Sequence, residues 1–282
     1  MTGRADDLVI SVMTEDAVHL AVDWAAREGW NPGLADADAF RATDPNGFLI
    51  GRVDGVPVAV ISAVAYRGGL SFVGLYIVDP EWRGRGYGWA LWSAALEQVS
   101  GIVGLDGVVE QQANYARSGF VLAHRNIRFG GVPRGAEHEE VDLLGIDDLS
   151  AVEDVDAACF GARRPEFLRR WLEIPGGCAA GVRSGTGLSG YGVIRPAWQG
   201  MKVGPLFADD VDTARAILGR LVAHAGEGIP VYLDVPEPHG DGVSLALQQG
   251  LIPVFETARM YRGGSLDLPL ERVFGITTFE LG

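Results

Sequence analysis

Val78-Asp79-Pro80-Glu81-Trp82-Arg83-Gly84-Arg85-Gly86-Tyr87-Gly88-Trp89 joins an apolar run, Phe72 to Val78, to a segment in which Trp89, Leu91, Trp92, Ala95, Leu96 and Val99 recur at helical spacing. A Gly-rich turn at a strand-to-helix junction exposes unpaired N–H groups at the helix N-terminus. Those donors and the helix dipole favour a phosphate there. Gly86 and Gly88 let the backbone approach a ligand closely, and Arg83 and Arg85 add positive charge. Two nucleotide motifs do not fit. A P-loop needs Lys then Ser/Thr after its second Gly, and Trp89 and Ala90 stand after Gly88. The dinucleotide fingerprint G-x-G-x-x-G fails because Trp89 takes the place of the third glycine.

Outward from this turn, the first half alternates short strands and helices. Leu8 to Met13 reads as a strand. Thr14 caps a helix that runs through Val18, Val22 and Trp24 to about Gly29, and a short helix covers Ala35 to Arg41. Gly47 to Arg52 and Val56 to Ala65 are strands joined by Asp54-Gly55, a hairpin signal. Ile102 to Val109 is a strand, Gln111 to Ser118 a short helix closed by Gly119, and Phe120 to Phe129 a strand. Gly130 to Gly135 reads as a linker, followed by the acidic His138-Glu139-Glu140. The same order recurs about 130 residues later, with Val273 to Leu281 as the last strand. The fold class is therefore α+β in two domains, 1–131 and 132–282, each a mixed, mostly antiparallel twisted sheet flanked by helices.

The bulk properties narrow the function classes. A chain of 282 residues, 48% hydrophobic and 21% charged, reads as a globular protein of about two domains. The net charge of −14 argues against nucleic acid as a partner and favours cationic ligands such as amines. Cys159 and Cys178 form neither a disulfide framework nor a zinc spacing, and the gaps between the five histidines exclude HExxH; no metal is expected. The N-terminus lacks signal-peptide character and no apolar run reaches the roughly 18 residues of a membrane span, so a cytoplasmic protein without membrane contact is expected. Homodimerisation stays open.

The quoted turn resembles motif A of the GNAT acetyltransferase superfamily, Q/R-x-x-G-x-G/A, with Arg83, Gly86 and Gly88 in its fixed positions. Tyr76-Ile77-Val78-Asp79-Pro80 is similar to the family's strand ending in V-x-P. Asn114-Tyr115-Ala116-Arg117-Ser118-Gly119-Phe120 is similar to its L-Y-E-K-x-G-F. The resemblance covers about residues 8 to 130. It implies that the backbone of Arg83, Gly84, Arg85, Gly86, Tyr87 and Gly88 holds the pyrophosphate of acetyl-CoA. Ile77 and Val78 would pair with the pantetheine arm, and Asn114 would also contact the cofactor. A bulge in that strand would splay two strands into a slot, with an N–H near Ile77 facing the oxyanion. Tyr115 would be the general acid that protonates the leaving thiolate.

The base for the acceptor amine stays open between Glu110, Asp106, Glu28, Asp23 and a water chain. Trp30 and Asn31 are candidate acceptor contacts, Trp30 as an aromatic wall for a cation; Trp24 reads as core. The second half resembles a GNAT domain without motif A. Its matching stretch, Val203 to Asp210, offers no arginine or glycine turn, and Asp209 and Asp210 would repel a pyrophosphate. One CoA site per chain follows, with the second half shaping the acceptor pocket or holding the pair together. The apolar ending Phe274 to Gly282 reads as an added strand, with the further possibility that Glu280 or the terminal carboxylate reaches that pocket. The expected activity is acetyl transfer to a small-molecule primary amine by direct attack in a ternary complex. The competing reading is a non-catalytic acyl-CoA-binding sensor or scaffold.

Overall fold

The computed structural model describes residues 7–133 and 140–282, so part of the expected linker and His138-Glu139 lie outside the described residues. Local signals act where the sequence puts them. Thr14 accepts a hydrogen bond from the Ala17 N–H and starts α1 (Glu15–Arg27). Asp54 and Gly55 both take positive φ, which matches the twist of the flanking strands β2 (Phe48–Val53) and β3 (Val56–Ala65). Around them lie β1 (Val9–Val12), α2 (Asp36–Thr43), β4 (Leu70–Val78), α3 (Tyr87–Gln98), β5 (Ile102–Val108), α4 (Gln112–Arg117) and β6 (Val121–Gly131). The second half contributes β7 (Val141–Leu144), α5 (Leu149–Phe160), α6 (Pro165–Trp171), β8 (Cys178–Ser184), β9 (Gly187–Pro196) and β10 (Met201–Ala208). After these come α7 (Val211–Ala225), β11 (Val231–Pro236), α8 (Gly240–Gln248), β12 (Ile252–Arg262) and β13 (Val273–Gly275).

Period-two alternation sorts the strand residues onto two faces. Phe48, Ile50, Val60 and Val64 join a core with α1 and α2. Their neighbours Leu49, Ala59, Ile61 and Ala63 join another with Leu91, Trp92 and Ala95 of α3. The α1/α2 core continues without interruption into Phe160, Phe167, Leu168 and Trp171 of α5 and α6, so the halves share one interior. A third core surrounds Ile217, Leu218 and Leu221 of α7.

The two halves also share one sheet, ordered β1-β2-β3-β4-β5-β12-β6-β11-β10-β9-β8-β7, with β13 against β10. Each half's long last strand is inserted among strands of the other: β12 pairs antiparallel with β5 and β6, and β6 pairs with β11. Gly130 and Gly131, expected in the linker, instead extend β6, because β11 offers partners as far as Val231 and Tyr232. The expected last strand is also shorter. Only Val273 to Gly275 pair as strand, and the following residues fold into a buried turn in which Thr278 and Gly282 bond each other's backbone.

Buried ion pairs tie the halves together. Asp36 accepts from Arg195 at 2.7 and 3.0 Å, with both side chains sealed from solvent. Asp106 on β5 accepts from Arg259 on β12 at 2.8 and 2.6 Å. Arg128 on β6 donates to Asp234 on β11 at 2.7 and 2.9 Å, and Lys202 Nζ lies 3.4 Å from the same carboxylate. Burial alone would raise the Asp234 pKa; Arg128 and Lys202 outweigh it and hold the carboxyl below its ordinary value. Its contribution to stability is therefore present at neutral pH and lost as pH falls through that lowered value. Asp234→Asn strands two buried cations and should cost about 3–5 kcal/mol at pH 7 by urea unfolding. The variant should also lack this acid-sensitive part of the wild-type stability.

Candidate active site

The slot begins at a flaw in β4. Leu75 takes φ 47°, and the register against β3 slips between the pairs Ser62–Gly74 and Val60–Ile77. β4 and β5 run parallel and paired only from Leu70–Ile102 to Val73–Leu105; beyond that no residues of the two strands pair. The strands diverge and leave the backbone of Gly74 to Val78 open on that side, while β5 stays paired to β12 on its other edge. A cavity of about 350 Å³ fills the gap. Its lining includes Gly74 to Val78, Arg83, Trp92, Leu105 to Val108 and Tyr115 from the first half, and Phe255, Thr257, Phe279 and Glu280 from the second.

The Gly-rich turn stands at the outer end of this slot. Gly84 and Gly86 have φ 78° and 88°, conformations that side chains rarely adopt. Gly86 is the N-cap of α3 and supplies no side-chain cap, so the first N–H groups of the helix are free of a capping acceptor. Gly88 also has a packing role: a Cβ there would stand 2.7 Å from the Tyr76 hydroxyl and 2.8 Å from Val78 Cγ2, so the missing side chain lets α3 seat on β4. Tyr87 is buried and donates to Asp7, which anchors the turn. Arg83 donates to the Val78 carbonyl at 2.9 Å and pairs with Glu28, while Arg85 lies over the Trp82 ring and donates to the Glu81 carbonyl. Both cations thus stiffen the turn as well as charging it.

The corresponding junction of the second half is built to exclude an anion. β10 also slips register, between Val203 and Leu206, and pairs with β11 over only three residues. Here, however, Asp210 caps α7, accepting from the N–H groups of Asp212 and Thr213, which lowers its pKa. The space between the strands is occupied by β13, which pairs with β10, and by Ile276, whose N–H donates to the Asp234 carbonyl. The absent arginine and glycine turn were legible in the sequence; the plug was not.

Tyr115 projects from α4 into the slot, its ring packed on Trp92 and over Gly107, where a Cβ would stand 2.3 Å away. Burial, and secondarily Tyr76, push its phenol well above the ordinary value; burial pushes Tyr76 up to about 12. Both phenols therefore keep their protons across the neutral range.

Several expected residues are placed elsewhere. Asn31 is buried with both ends of its amide bonded to the Gln199 backbone, so it ties the halves together and does not line the slot. Glu110 and Asn114 lie outside the lining, and Asn114 is held by Gln111 and Arg117; neighbouring Gln111 faces the slot instead. Asp23 is exposed on α1, and Trp24 is core. Among the described residues, three carboxylates line the cavity. Glu28 pairs with Arg83. Asp106 is saturated by Arg259 and by Asn126 at 2.8 Å. Glu280, 2% exposed, has no donor on either oxygen. Trp30 lines the slot, and its carbonyl accepts from Arg128. Phe255, Thr257 and Phe279 went unforeseen, because only the strand exchange brings β12 and the tail to this slot. Glu15 and His19 of α1 and Asp38 of α2 gather on the exposed surface, and none of them lines the slot.

Comparison with known proteins agrees with this architecture. Residues 16–120 match the acetyltransferase (GNAT) family and residues 152–275 a second acetyltransferase (GNAT) domain. The chain is 30% identical over 267 residues to the holothin acyltransferase of Pseudoalteromonas sp. (strain SANK 73390), covering 92% of this chain and 90% of that one. A structure from Pyrococcus horikoshii assigned to the acetyltransferases superposes with a TM-score of 0.83 at 19% identity, over 98% of this chain and 96% of that one. A tandem GNAT protein from the clavulanic acid biosynthesis pathway superposes with a TM-score of 0.59 at 15% identity, over 92% and 100%. The splayed strands, the uncapped glycine turn and these matches lead to one conclusion: the chain belongs to the GNAT acetyltransferase superfamily, as a tandem of two such domains.

Proposed function

We propose that this protein is an acetyl-CoA-dependent N-acetyltransferase that moves an acetyl group to a small primary amine by direct attack within a ternary complex. The observation that carries the reading is a continuous path. It runs from the uncapped N-terminus of α3 at Gly86, along the open backbone of Gly74 to Val78, to the protonated phenol of Tyr115. The pyrophosphate takes the free N–H groups of the Arg83–Gly88 turn, where the helix dipole favours negative charge. The pantetheine arm continues the sheet along Ile77 and Val78 in the place a neighbouring strand would take. The thioester carbonyl lies beside the bulge, whose backbone N–H groups face the developing oxyanion. Tyr115 donates to sulfur as the C–S bond breaks. A sensor or scaffold would need the turn alone; the apolar wall across the slot and the phenol aimed into it favour turnover. The holothin acyltransferase is a relative whose name gives it acyl transfer, which supports acyl transfer here.

Two outcomes test this reading. Tyr115→Phe should lower kcat by about 10²-fold or more while leaving the Kd for acetyl-CoA unchanged, measured by thiol release over an amine panel. Since burial raises the Tyr115 pKa, the wild-type rate should show no alkaline limb from its deprotonation below about pH 10. Arg85→Glu replaces an exposed cation of the turn with a carboxylate at the N-terminus of α3. Calorimetric titration with CoA should then show affinity weakened by at least about tenfold, with folding retained by circular dichroism.

A further inference from the structure

The tail that plugs the second half's strands continues into the first half's slot. After Ile276 it passes Thr277 and Thr278 and lays the Glu280 backbone against Gly74, where a Cβ would stand 2.0 Å from the Glu280 carbonyl oxygen. The Tyr66 hydroxyl donates to the Leu281 carbonyl at 2.8 Å and fixes the turn from the first half. The Glu280 side chain is thus delivered to the bulge of β4 by the far end of the chain. It lines the cavity, is sealed from bulk solvent, and accepts no hydrogen bond from any group.

A buried carboxylate without donors is costly unless something meets it. The charge count shows why it persists. Arg128 and Lys202 share the single carboxylate Asp234, which leaves one surplus positive charge, and both cations feel Glu280 electrostatically. Glu280 balances that surplus at a distance while its oxygens stay free. Beside it, Phe255 and Phe279 present apolar faces backed by the Arg128 guanidinium, and the Thr257 hydroxyl lines the same cavity without a partner.

We propose, resting on the acetyltransferase reading above, that Glu280 is the carboxylate that receives the acceptor amine and takes its proton. Phe255, Phe279 and Trp30 select an amine carried on an apolar body, and Thr257 supplies one polar contact. Glu280 takes the first proton of the incoming acceptor ammonium and releases it to solvent. The amine nitrogen, held by Glu280, then attacks the thioester carbonyl carbon. The second N–H proton passes to Glu280, the C–S bond breaks, and the thiolate takes the Tyr115 proton; transfer through solvent from Glu280 to Tyr115 restores both groups. Asp106 is unsuited to this role because Arg259 holds both its oxygens, and Glu28 because its Oε1 already carries the Arg83 guanidinium at the turn.

The test uses the full chain, acetyl-CoA and a panel of arylalkylamines such as phenethylamine. Glu280→Gln should lower kcat/KM about 100-fold at pH 7, with the acetyl-CoA Kd within twofold of wild type. The deficit should narrow toward pH 9.5, where more of the amine arrives already deprotonated. Because Gln leaves Lys202 unbalanced, Lys202→Met/Glu280→Gln serves as the second variant: it should recover thermal stability but not turnover. Turnover within twofold of wild type in either variant, or a deficit independent of pH, overturns the proposal. Wild type that binds no acetyl-CoA, or turns over none with any amine, refutes instead the acetyltransferase reading on which it rests.

Discussion

Insertion of β12 between β5 and β6 is the constraint from which the rest follows. A strand whose two edges were both bare would leave its N–H and C=O groups without partners, and buried backbone does not tolerate that. β5 can part from β4 after Leu105 only because its other edge is satisfied by β12 through Thr257–Val108. The pairing is pinned by the Arg259–Asp106 bridge inside the sheet. The same insertion delivers Phe255 and Thr257 to the slot, so one exchange both permits the cavity and supplies a wall of it.

The two halves use one architectural idea in opposite ways. Each has a slipped strand that diverges from its parallel neighbour. In the first half the adjoining helix is left uncapped and the gap stays open; in the second, Asp210 occupies the helix terminus and β13 fills the gap. The second half keeps the frame and gives up the hole. Its tail then crosses into the first half, which couples the plugging of one site to the furnishing of the other.

Local physics made much of this legible in the sequence. The Asp54-Gly55 turn, the Thr14 cap and the helical spacing from Trp89 to Val99 each depend on residues within a turn or two, and each appears where the pattern puts it. The glycine turn was equally readable, because the left-handed glycines and the helix start that follows them are also local features. Three of the misreadings share a cause: each depends on partners far away in the sequence, whereas Asn114 is held by its near neighbours Gln111 and Arg117. Gly130 and Gly131 read as a linker until β11 is known to lie beside them. Asn31 reads as an acceptor contact until Gln199 captures its amide, and Val273 to Leu281 reads as a strand until the plug bends its end away. For Glu280 the apolar surroundings of an acidic residue were the available hint, and only the tail's path gives that hint a destination.

The strand exchange also sets the timetable on which such a protein comes into being. Asp106 and Arg259 are 153 positions apart, so at about 5–20 residues per second the β5 edge waits roughly 8–30 s on the ribosome for its partner. During that interval the nascent first half displays unpaired strands, the surface on which stray chains add. Pairings at such separation also close long loops, which slows folding relative to local contacts. The cavity is accordingly among the last features to exist, and a chain interrupted before β12 would carry every residue of the glycine turn yet have no slot beside it.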